Sequence, residues 1–123
     1  MKKKILIVDD SKFSCDIIAS MLSGLDCDVI IAQDGEEGVK RAIEEKPNLI
    51  IMDFILPKKT GLEVTREIKS NEITKSIPII MISSFRELYD ELKSTYNFNP
   101  DVFLPKPVEK RELLKYVQQL LMG

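Results

Sequence analysis

The chain has 123 residues, of which 44% are hydrophobic and 31% are charged, and its formal net charge is −2. This length suits one domain with a sizeable core, so residues 1–123 are expected to form a single domain. The small net charge predicts no direct binding of nucleic acid or of a membrane surface, and the apolar runs are far shorter than the about 20 residues that cross a bilayer.

Strand-like and helix-like patterns alternate from one end of the chain to the other. Continuous apolar runs predict five strands: Lys4–Val8, Val29–Ala32, Leu49–Met52, Ile77–Ile82 and Val102–Leu104. Apolar residues three to four positions apart predict a helix after each strand, over about 11–23, 35–45, 62–69, 85–96 and 108–122. This alternation is typical of a parallel sheet covered by helices on both faces. The predicted fold class is therefore α/β, a flavodoxin-like doubly wound (βα)5 fold with strand order 2-1-3-4-5.

Local patterns add detail to three of the helices. The first helix is expected to carry one apolar stripe, formed by Phe13, Ile17, Ile18, Met21 and Leu22. Asp34 and Glu37 have the spacing of a capping box at the start of the second helix, whose buried face would be Val39, Ala42 and Ile43. The expected inner positions of the third helix are Leu62, Val64, Thr65 and Ile68.

Polar side chains follow four of the predicted strands. They are Asp9 and Asp10 after the first strand, Asp53 after the third, Ser83 after the fourth and Lys106 just past the fifth. The carboxyl ends of parallel strands face a common crevice, so these residues are expected to meet there. Each has an ordinary explanation, as a cap or turn residue for the aspartates and Ser83 and as a solvated surface residue for Lys106, but that does not account for all five falling at the same strand ends.

This set of side chains suits a divalent cation and a phosphoryl group. Three carboxylates in one crevice would repel one another unless a cation neutralised them. Ligands that are all oxygen, without cysteine or histidine, favour Mg²⁺ over zinc. Lys106 adds one positive charge, which leaves a formal −2 for a divalent ion to balance.

Four sequence blocks, ILIVDDS, IIMDFILPKKTGLE, IPIIMISS and VFLPKP, resemble in order and spacing those of a response-regulator receiver domain. The resemblance covers nearly the whole chain and is closest to the single-domain chemotaxis and phosphorelay regulators. It implies a phosphoacceptor of two-component signal transduction that works in the cytoplasm. The phosphoryl group would come from a histidine kinase or a phosphotransfer domain.

The resemblance also implies roles for individual residues. Asp53 would be the phosphoacceptor. Mg²⁺ would be bound by Asp10, Asp53 and the backbone carbonyl of Ile55, with Asp9 holding it largely through water.

The remaining roles concern the phosphoryl group and the response to it. Lys106 would pair with the phosphoryl oxygens, and Ser83 would donate a hydrogen bond to the same group. Phe103 would act as the switch aromatic, although an ordinary core role fits it equally well. Pro57 and Gly61 would shape the loop after the acceptor, and the Lys106–Pro107 bond would be cis.

The implied output is reversible binding of a downstream protein through the fourth helix, the fifth strand and the last helix. A terminal switch and a phosphorelay intermediate both fit, as do a monomer and a phosphorylation-dependent dimer. A Mg²⁺-dependent aspartyl phosphatase is a weaker alternative, because Ile55 stands where such enzymes place a second aspartate. A flavin-binding protein is disfavoured, because two carboxylates after the first strand would repel the flavin phosphate. A receiver-like chain that never accepts phosphate is disfavoured by the presence of all five rim residues.

Three further expectations come from single positions. Asn99 precedes Pro100 where the family has Gly-Ala, and it is expected to keep a left-handed turn. Ile55 and Phe85 flank the acceptor and cannot hydrogen-bond a water molecule, so slow self-dephosphorylation is expected. The two cysteines, Cys15 and Cys27, are expected to be buried free thiols, which suits the cytoplasm.

Overall fold

The computed structural model describes residues 2–95 and 98–122. Its strands are β1 (Lys3–Val8), β2 (Cys27–Ala32), β3 (Leu49–Asp53), β4 (Ile79–Ser83) and β5 (Val102–Pro105). Its helices are α1 (Lys12–Met21), α2 (Gly35–Glu45), α3 (Gly61–Ser70), α4 (Arg86–Leu92) and α5 (Lys110–Met122). A short 3₁₀ turn, Lys93–Thr95, follows α4. Tyr96, the predicted end of the fourth helix, lies outside the described residues.

The five strands form one parallel sheet in the order β2-β1-β3-β4-β5. The predicted fold class and strand order are therefore confirmed. β1 pairs with both β2 and β3, so the chain reverses its direction of winding between β1 and β3. β4 begins two residues later than predicted, after Pro78, which has no amide hydrogen to offer a neighbouring strand.

The sheet separates two apolar layers, because alternate side chains of each strand point to opposite faces. One layer, covered by α1 and α5, contains the side chains of Ile5, Ile7, Cys15, Ile18, Leu113 and Val117, among others. The other layer, covered by α2, α3 and α4, contains those of Leu6, Val8, Ala42, Leu62, Ile68 and Tyr89, among others. The four predicted inner residues of α3 are all buried, and Ala42 on α2 is buried with Val39 and Ile43 half-buried.

The predicted stripe of α1 is wrong in part. Ile18 and Leu22 are buried, but Phe13 is 75% exposed and Ile17 is 40% exposed. The buried row runs through Cys15, Ile18 and Leu22, so the helix has two adjacent apolar rows and only this one faces the sheet.

Helix caps agree with the sequence pattern only partly. Asp34 accepts a hydrogen bond from the Glu37 amide at 2.7 Å, which is one half of the predicted capping box. A complete box forms instead at α3, where Thr60 and Glu63 cap each other's backbone amides. This box fixes the start of the helix that follows the Asp53 loop.

The expectation of a left-handed turn at Asn99 is wrong. Among the described non-glycine residues, φ is positive at Lys46 (48°) and Lys58 (71°), and not at Asn99. Asn99 precedes Pro100, and a residue before proline is pushed toward extended conformations.

Both cysteines are free, as expected, but their burial differs. Cys15 is buried, and its thiol donates a hydrogen bond to the Asp9 carbonyl at 3.4 Å. Burial, helped by the negative charge of Asp9, raises the pKa of Cys15 to about 11. Cys27 is half-buried rather than buried, because β2 is an edge strand. Across residues 2–95 and 98–122, no helix has the length and apolar character needed to span a bilayer.

Replacing Lys46 with glycine is expected to stabilise the protein. Lys46 ends α2 in the left-handed region, where glycine avoids the strain of a Cβ atom, so the free energy of unfolding should rise by about 1 kcal/mol. The matched control is Lys40→Gly, in the exposed interior of the same helix, which should lower that energy by about 1 kcal/mol. Urea unfolding measures both variants, and a loss of stability in Lys46→Gly would contradict the interpretation.

Candidate functional site

The predicted rim residues meet at the carboxyl edge of the sheet. Parallel pairing sets Val8 beside Met52 and Ser83 beside Pro105, so the residues after these positions share one edge. Asp9 extends the β1 pairing by donating its amide to the Ala32 carbonyl at 3.0 Å. The strand register therefore places the acidic pair and Asp53 on either side of the point where the winding reverses.

Three carboxylates converge at this edge. One oxygen from each of Asp9, Asp10 and Asp53 lies within 4.8 Å of the others. Asp9 is 2% exposed and accepts a hydrogen bond from the Ser11 amide at 2.9 Å, while Asp10 is exposed and Asp53 is half-buried. The predicted acidic cluster is thus present, with one buried, one half-buried and one open carboxylate.

Lys106 lies between two of these carboxylates. Its Nζ is 3.0 Å from Asp53 Oδ2 and 3.3 Å from Asp9 Oδ2. Burial disfavours the ammonium ion, but the hydrogen bond and charge of Asp53, together with Asp9, outweigh it and raise the pKa of Lys106. The lysine is therefore held in its charged form against Asp53. The bond from Lys106 to Pro107 is cis, as expected.

The Asp53 carboxylate is held from two sides. Its Oδ2 receives the Lys106 ammonium, and its Oδ1 accepts a hydrogen bond from the Ile55 amide at 3.3 Å. Burial, with the charge of Asp9, still outweighs these contacts and raises the pKa of Asp53. A carboxylate that is partly desolvated, fixed in orientation and set beside an ammonium group is suited to nucleophilic attack on phosphorus.

Gly61 holds the loop after Asp53 in place. Its amide donates to the Phe54 carbonyl at 2.7 Å. A Cβ atom on Gly61 would come within 2.8 Å of the Asp53 carbonyl oxygen and 2.9 Å of the Phe54 Cα atom. Glycine is needed here because the start of α3 packs directly against the backbone of Asp53 and Phe54.

Ser83 is at the predicted edge, but its hydroxyl is engaged elsewhere. The residue is 1% exposed, and its Oγ accepts a hydrogen bond from the Phe85 amide at 2.9 Å. The side chain is therefore bound to the backbone at the start of α4. A turn of this hydroxyl toward Asp53 would alter the contact that anchors α4.

Phe103 is half-buried and belongs to a row of three aromatic rings. It stacks on Tyr89 with ring centroids 4.3 Å apart, and Tyr89 meets Phe54 edge to face at 5.9 Å. The Arg86 guanidinium lies 5.0 Å above the Phe103 ring. Sequence reasoning missed Tyr89 and Phe54. Their signals were the periodic position in α4 and the place next to Asp53, neither of which reveals a ring contact.

Exposed apolar side chains occur at Ile55 and Phe85 and along a groove beside Lys106. Ile55 and Phe85, which the sequence singled out, are 40% and 54% exposed. A groove of about 290 Å³ runs beside Lys106. It is lined by the outward row of α1, which contains Phe13 and Ile17, together with Ser84, Pro107 and Val108.

The residues present fit a magnesium ion. The donor set is all oxygen, and it carries more negative charge than Lys106 neutralises. Asp9, Asp10 and Asp53 would hold the ion, and the Ile55 carbonyl remains a predicted ligand.

Magnesium is expected to stabilise the fold. At about ten times its dissociation constant, Mg²⁺ should raise the free energy of unfolding by about 1.4 kcal/mol, since a ligand that binds only the native state stabilises by mass action. The Asp10→Asn variant should lose most of this gain. Thermal unfolding with and without Mg²⁺ measures the difference, and an equal gain in both proteins would contradict the assignment of Asp10 as a ligand.

The sequence and the fold match known proteins of one kind. The family model described as the response regulator receiver domain matches residues 5–118. Protein PilG of Pseudomonas aeruginosa is 36% identical over 111 residues, which are 90% of this chain and 82% of PilG. The alkaline phosphatase synthesis transcriptional regulatory protein PhoP of Bacillus subtilis is 36% identical over 121 residues. That match covers 98% of this chain but 49% of PhoP, so the chain spans about half the length of that relative.

Solved structures give the same result. The receiver domain of the sensor histidine kinase PA1611 of Pseudomonas aeruginosa superposes with a TM-score of 0.89 at 28% identity, and the match covers all of both chains. That structure has a magnesium ion coordinated in its active site cleft. The chemotaxis response regulator CheY4 of Vibrio cholerae superposes with a TM-score of 0.84 at 28% identity, covering 98% of this chain and 99% of that one. With a matching family model, matching relatives and the carboxylates and lysine gathered at one edge of the sheet, this chain belongs to the family of response regulator receiver domains of two-component systems.

Proposed function

We propose that this chain takes a phosphoryl group on Asp53 from a phosphohistidine of a histidine kinase or phosphotransfer domain. The observation that carries this proposal is the Asp53 carboxylate, 3.0 Å from Lys106 and clustered with two further aspartates. Family membership supports it, since phosphoacceptance is the activity of receiver domains. The site residues have the chemistry that the transfer needs.

The transfer is a displacement at phosphorus. A carboxylate oxygen of Asp53 forms the new O–P bond while the N–P bond of the donor phosphohistidine breaks, and the electron pair returns to the imidazole nitrogen, which takes a proton from solvent. Lys106 stabilises negative charge on the phosphoryl oxygens from its position beside Asp53. Bound Mg²⁺ would add further charge neutralisation at the same oxygens.

Ser83 and Phe103 would convert the modification into a change of surface. Phosphorylated Asp53 offers strong acceptor oxygens, to which the Ser83 hydroxyl can donate. Ser83 is the acceptor for the Phe85 amide at the start of α4, so its rotation bears on α4 directly. Phe103 stacks on Tyr89 of the same helix, so a movement of either ring displaces the other. The proposed output surface is α4, β5 and α5, acting on a downstream protein.

The outward row of α1 suits the donor side of the reaction. Phe13 and Ile17 are exposed apolar residues beside a groove that Lys106 also lines. A donor must bring its phosphohistidine to Asp53, so its surface would cover these side chains. We assign this face to the phosphodonor and the α4 side to the output.

The wider setting is also proposed. Residues 1–123 would act as one receiver domain in the cytoplasm, which two free thiols support. Terminal switch and phosphorelay intermediate both remain compatible with the site, as do a monomer and a phosphorylation-dependent dimer. Phosphorylation followed by incubation with a panel of phosphotransfer domains would distinguish a terminal switch from a phosphorelay intermediate.

Incubation with Mg²⁺ and acetyl phosphate tests the central proposal. A receiver gains one phosphoryl group that survives acid and is lost in base, and peptide mapping should place it on Asp53. Steady turnover of phosphate monoesters without an adduct would favour the aspartyl phosphatase instead. Ile55 supports the receiver, since it leaves no acid two positions after the acceptor to protonate a leaving group.

Self-dephosphorylation is expected to be slow and to speed up in the Ile55→Asn, Phe85→Glu double variant. Both native side chains are apolar and exposed beside the acceptor, so neither can orient a water molecule. One added hydrogen bond to that water is worth about 1.4 kcal/mol, or about tenfold in rate. The decay of the base-labile adduct measures it. A lifetime that is unchanged or longer in the variant would contradict this account.

A further inference from the structure

The outward surface of α4 combines apolar and acidic side chains. We call this surface the outer α4 face and define it by Ser84, Phe85, Glu87, Leu88 and Glu91, which together with Arg86 line a groove of about 510 Å³. Phe85 is 54% exposed and Leu88 is 39% exposed. Phe85 comes directly before α4 and Leu88 lies in its first turn, and both line the same groove, so they form one apolar patch rather than scattered contacts.

The two basic residues beside this face, Arg86 in α4 and Lys93 just after it, do not pair with Glu87 or Glu91. Arg86 and Lys93 both pair with Asp90, at 3.2 Å and 3.3 Å. They also lie over the rings of Phe103 and Tyr89. Glu87 and Glu91 make no ion pair with any residue in the ranges 2–95 and 98–122. Two uncompensated carboxylates therefore border the apolar patch.

The stability of α4 accounts for only one of these carboxylates, since Glu87 lies in the first turn, where a negative charge suits the positive end of the helix dipole. Glu87 and Glu91 are four residues apart on one helical face, where like charges are unfavourable. Glu91 also lies in the last turn, where a negative charge meets the negative end of the helix dipole. A cationic partner would relieve both effects, whereas an anionic partner would worsen them.

We propose that the outer α4 face binds a basic amphipathic helical segment of a downstream protein. The apolar side of that segment covers Phe85 and Leu88, and its lysine or arginine residues pair with Glu87 and Glu91. This rests on the proposed function, because the face is part of the output surface assigned above. Its link to the phosphorylation site is the hydrogen bond to Ser83 from the amide of Phe85, which belongs to the patch.

A defined peptide tests the partner chemistry. The probe is a fluorescein-labelled amphipathic helix built of leucine and lysine, with a leucine–glutamate helix of equal length as the counterpart. Fluorescence anisotropy gives the dissociation constant with the unmodified chain and with the chain treated with Mg²⁺ and acetyl phosphate. The lysine peptide should bind saturably and the glutamate peptide should not bind.

Matched variants locate the binding site. The Glu87→Gln, Glu91→Gln pair and the Leu88→Ser variant should each weaken binding by about tenfold, equivalent to about 1.4 kcal/mol. The Glu36→Gln, Glu44→Gln pair removes the same charge from α2, and Ile73→Ser removes an apolar side chain that is 55% exposed away from α4. Both controls should change the dissociation constant by less than about twofold, as remote rim charges do. Urea unfolding of every variant confirms that it is folded.

Two results would overturn the proposal: equal weakening by the control pair, which would indicate attraction to overall charge, or tight binding of the glutamate peptide. A failure of the proposed function gives a different result. If acetyl phosphate leaves no adduct on Asp53 while the peptide still depends on Glu87, Glu91 and Leu88, the phosphoacceptor role is wrong and the partner chemistry stands. If the adduct forms and the α4 variants leave peptide binding unchanged, the phosphoacceptor role stands and the proposed partner chemistry is wrong.

Discussion

Replacing Asp53 with asparagine is expected to remove all base-labile phosphorylation by acetyl phosphate and Mg²⁺. Asparagine keeps the size of the side chain but has no carboxylate oxygen to form an acyl phosphate. Asp9 does not substitute for it, because Asp9 is 2% exposed and bound to the Ser11 amide. Mass measurement of the intact protein, with hydroxylamine release as confirmation, reports the adduct.

Two companion variants show whether the loss is specific. Asp10→Asn keeps the acceptor but removes an exposed carboxylate of the cluster, and labelling should slow on the order of 100-fold, as when a charge-stabilising group is lost. Asp16→Asn changes an exposed aspartate of α1 that pairs with Lys12, and labelling should be unchanged. An adduct of wild-type yield in Asp53→Asn would show that another residue is the acceptor.

Replacing Gly61 with alanine is expected to damage both stability and phosphorylation. The added Cβ would overlap the Asp53 carbonyl oxygen and the Phe54 Cα atom, and backbone atoms cannot move aside as a side chain would. Overpacking of this kind costs about 2 kcal/mol. If the acceptor shifts by about 1 Å to make room, the rate of labelling should fall on the order of 100-fold.

Gly24 offers a matched control for this variant. A Cβ built on Gly24 meets nothing within 4 Å, and its φ is not positive. Gly24→Ala should therefore leave labelling unchanged and should raise the free energy of unfolding by up to about 1 kcal/mol, because alanine reduces the entropy of the unfolded chain. Equal behaviour of the two alanine variants would contradict the close-packing role of Gly61.

The sequence predicts the fold and the site edge well because both follow from simple periodicities. Runs such as Ile5–Val8 are buried on both faces, and the parallel register then places the residue after each run at the same edge. For this reason Asp9, Asp53 and Lys106 could be predicted as neighbours although up to 97 residues separate them. No side-chain detail was needed for that step.

The errors arise where two apolar rows compete or where one local rule overrides another. On α1, the spacing of Phe13 and Ile17 is as regular as that of Ile18 and Leu22, and only the position of the sheet decides which pair is buried. Asn99 favours a left-handed turn by itself, but Pro100 excludes it. Ring contacts such as Tyr89 with Phe103 depend on side-chain directions in three dimensions, which periodicity does not encode.

The position of β5 at the border of the sheet bears on how a partner would sense the switch. α4 packs on one apolar layer and α5 on the other, and β5 is the strand between them. For a binding protein that contacts both helices, a displacement of α4 would change the distance between its two contact sites. For a binding protein that contacts α4 alone, only the shape of that helix's surface would change. The same phosphorylation could therefore change the spacing of two helices for one class of binding partner and the surface shape of a single helix for another.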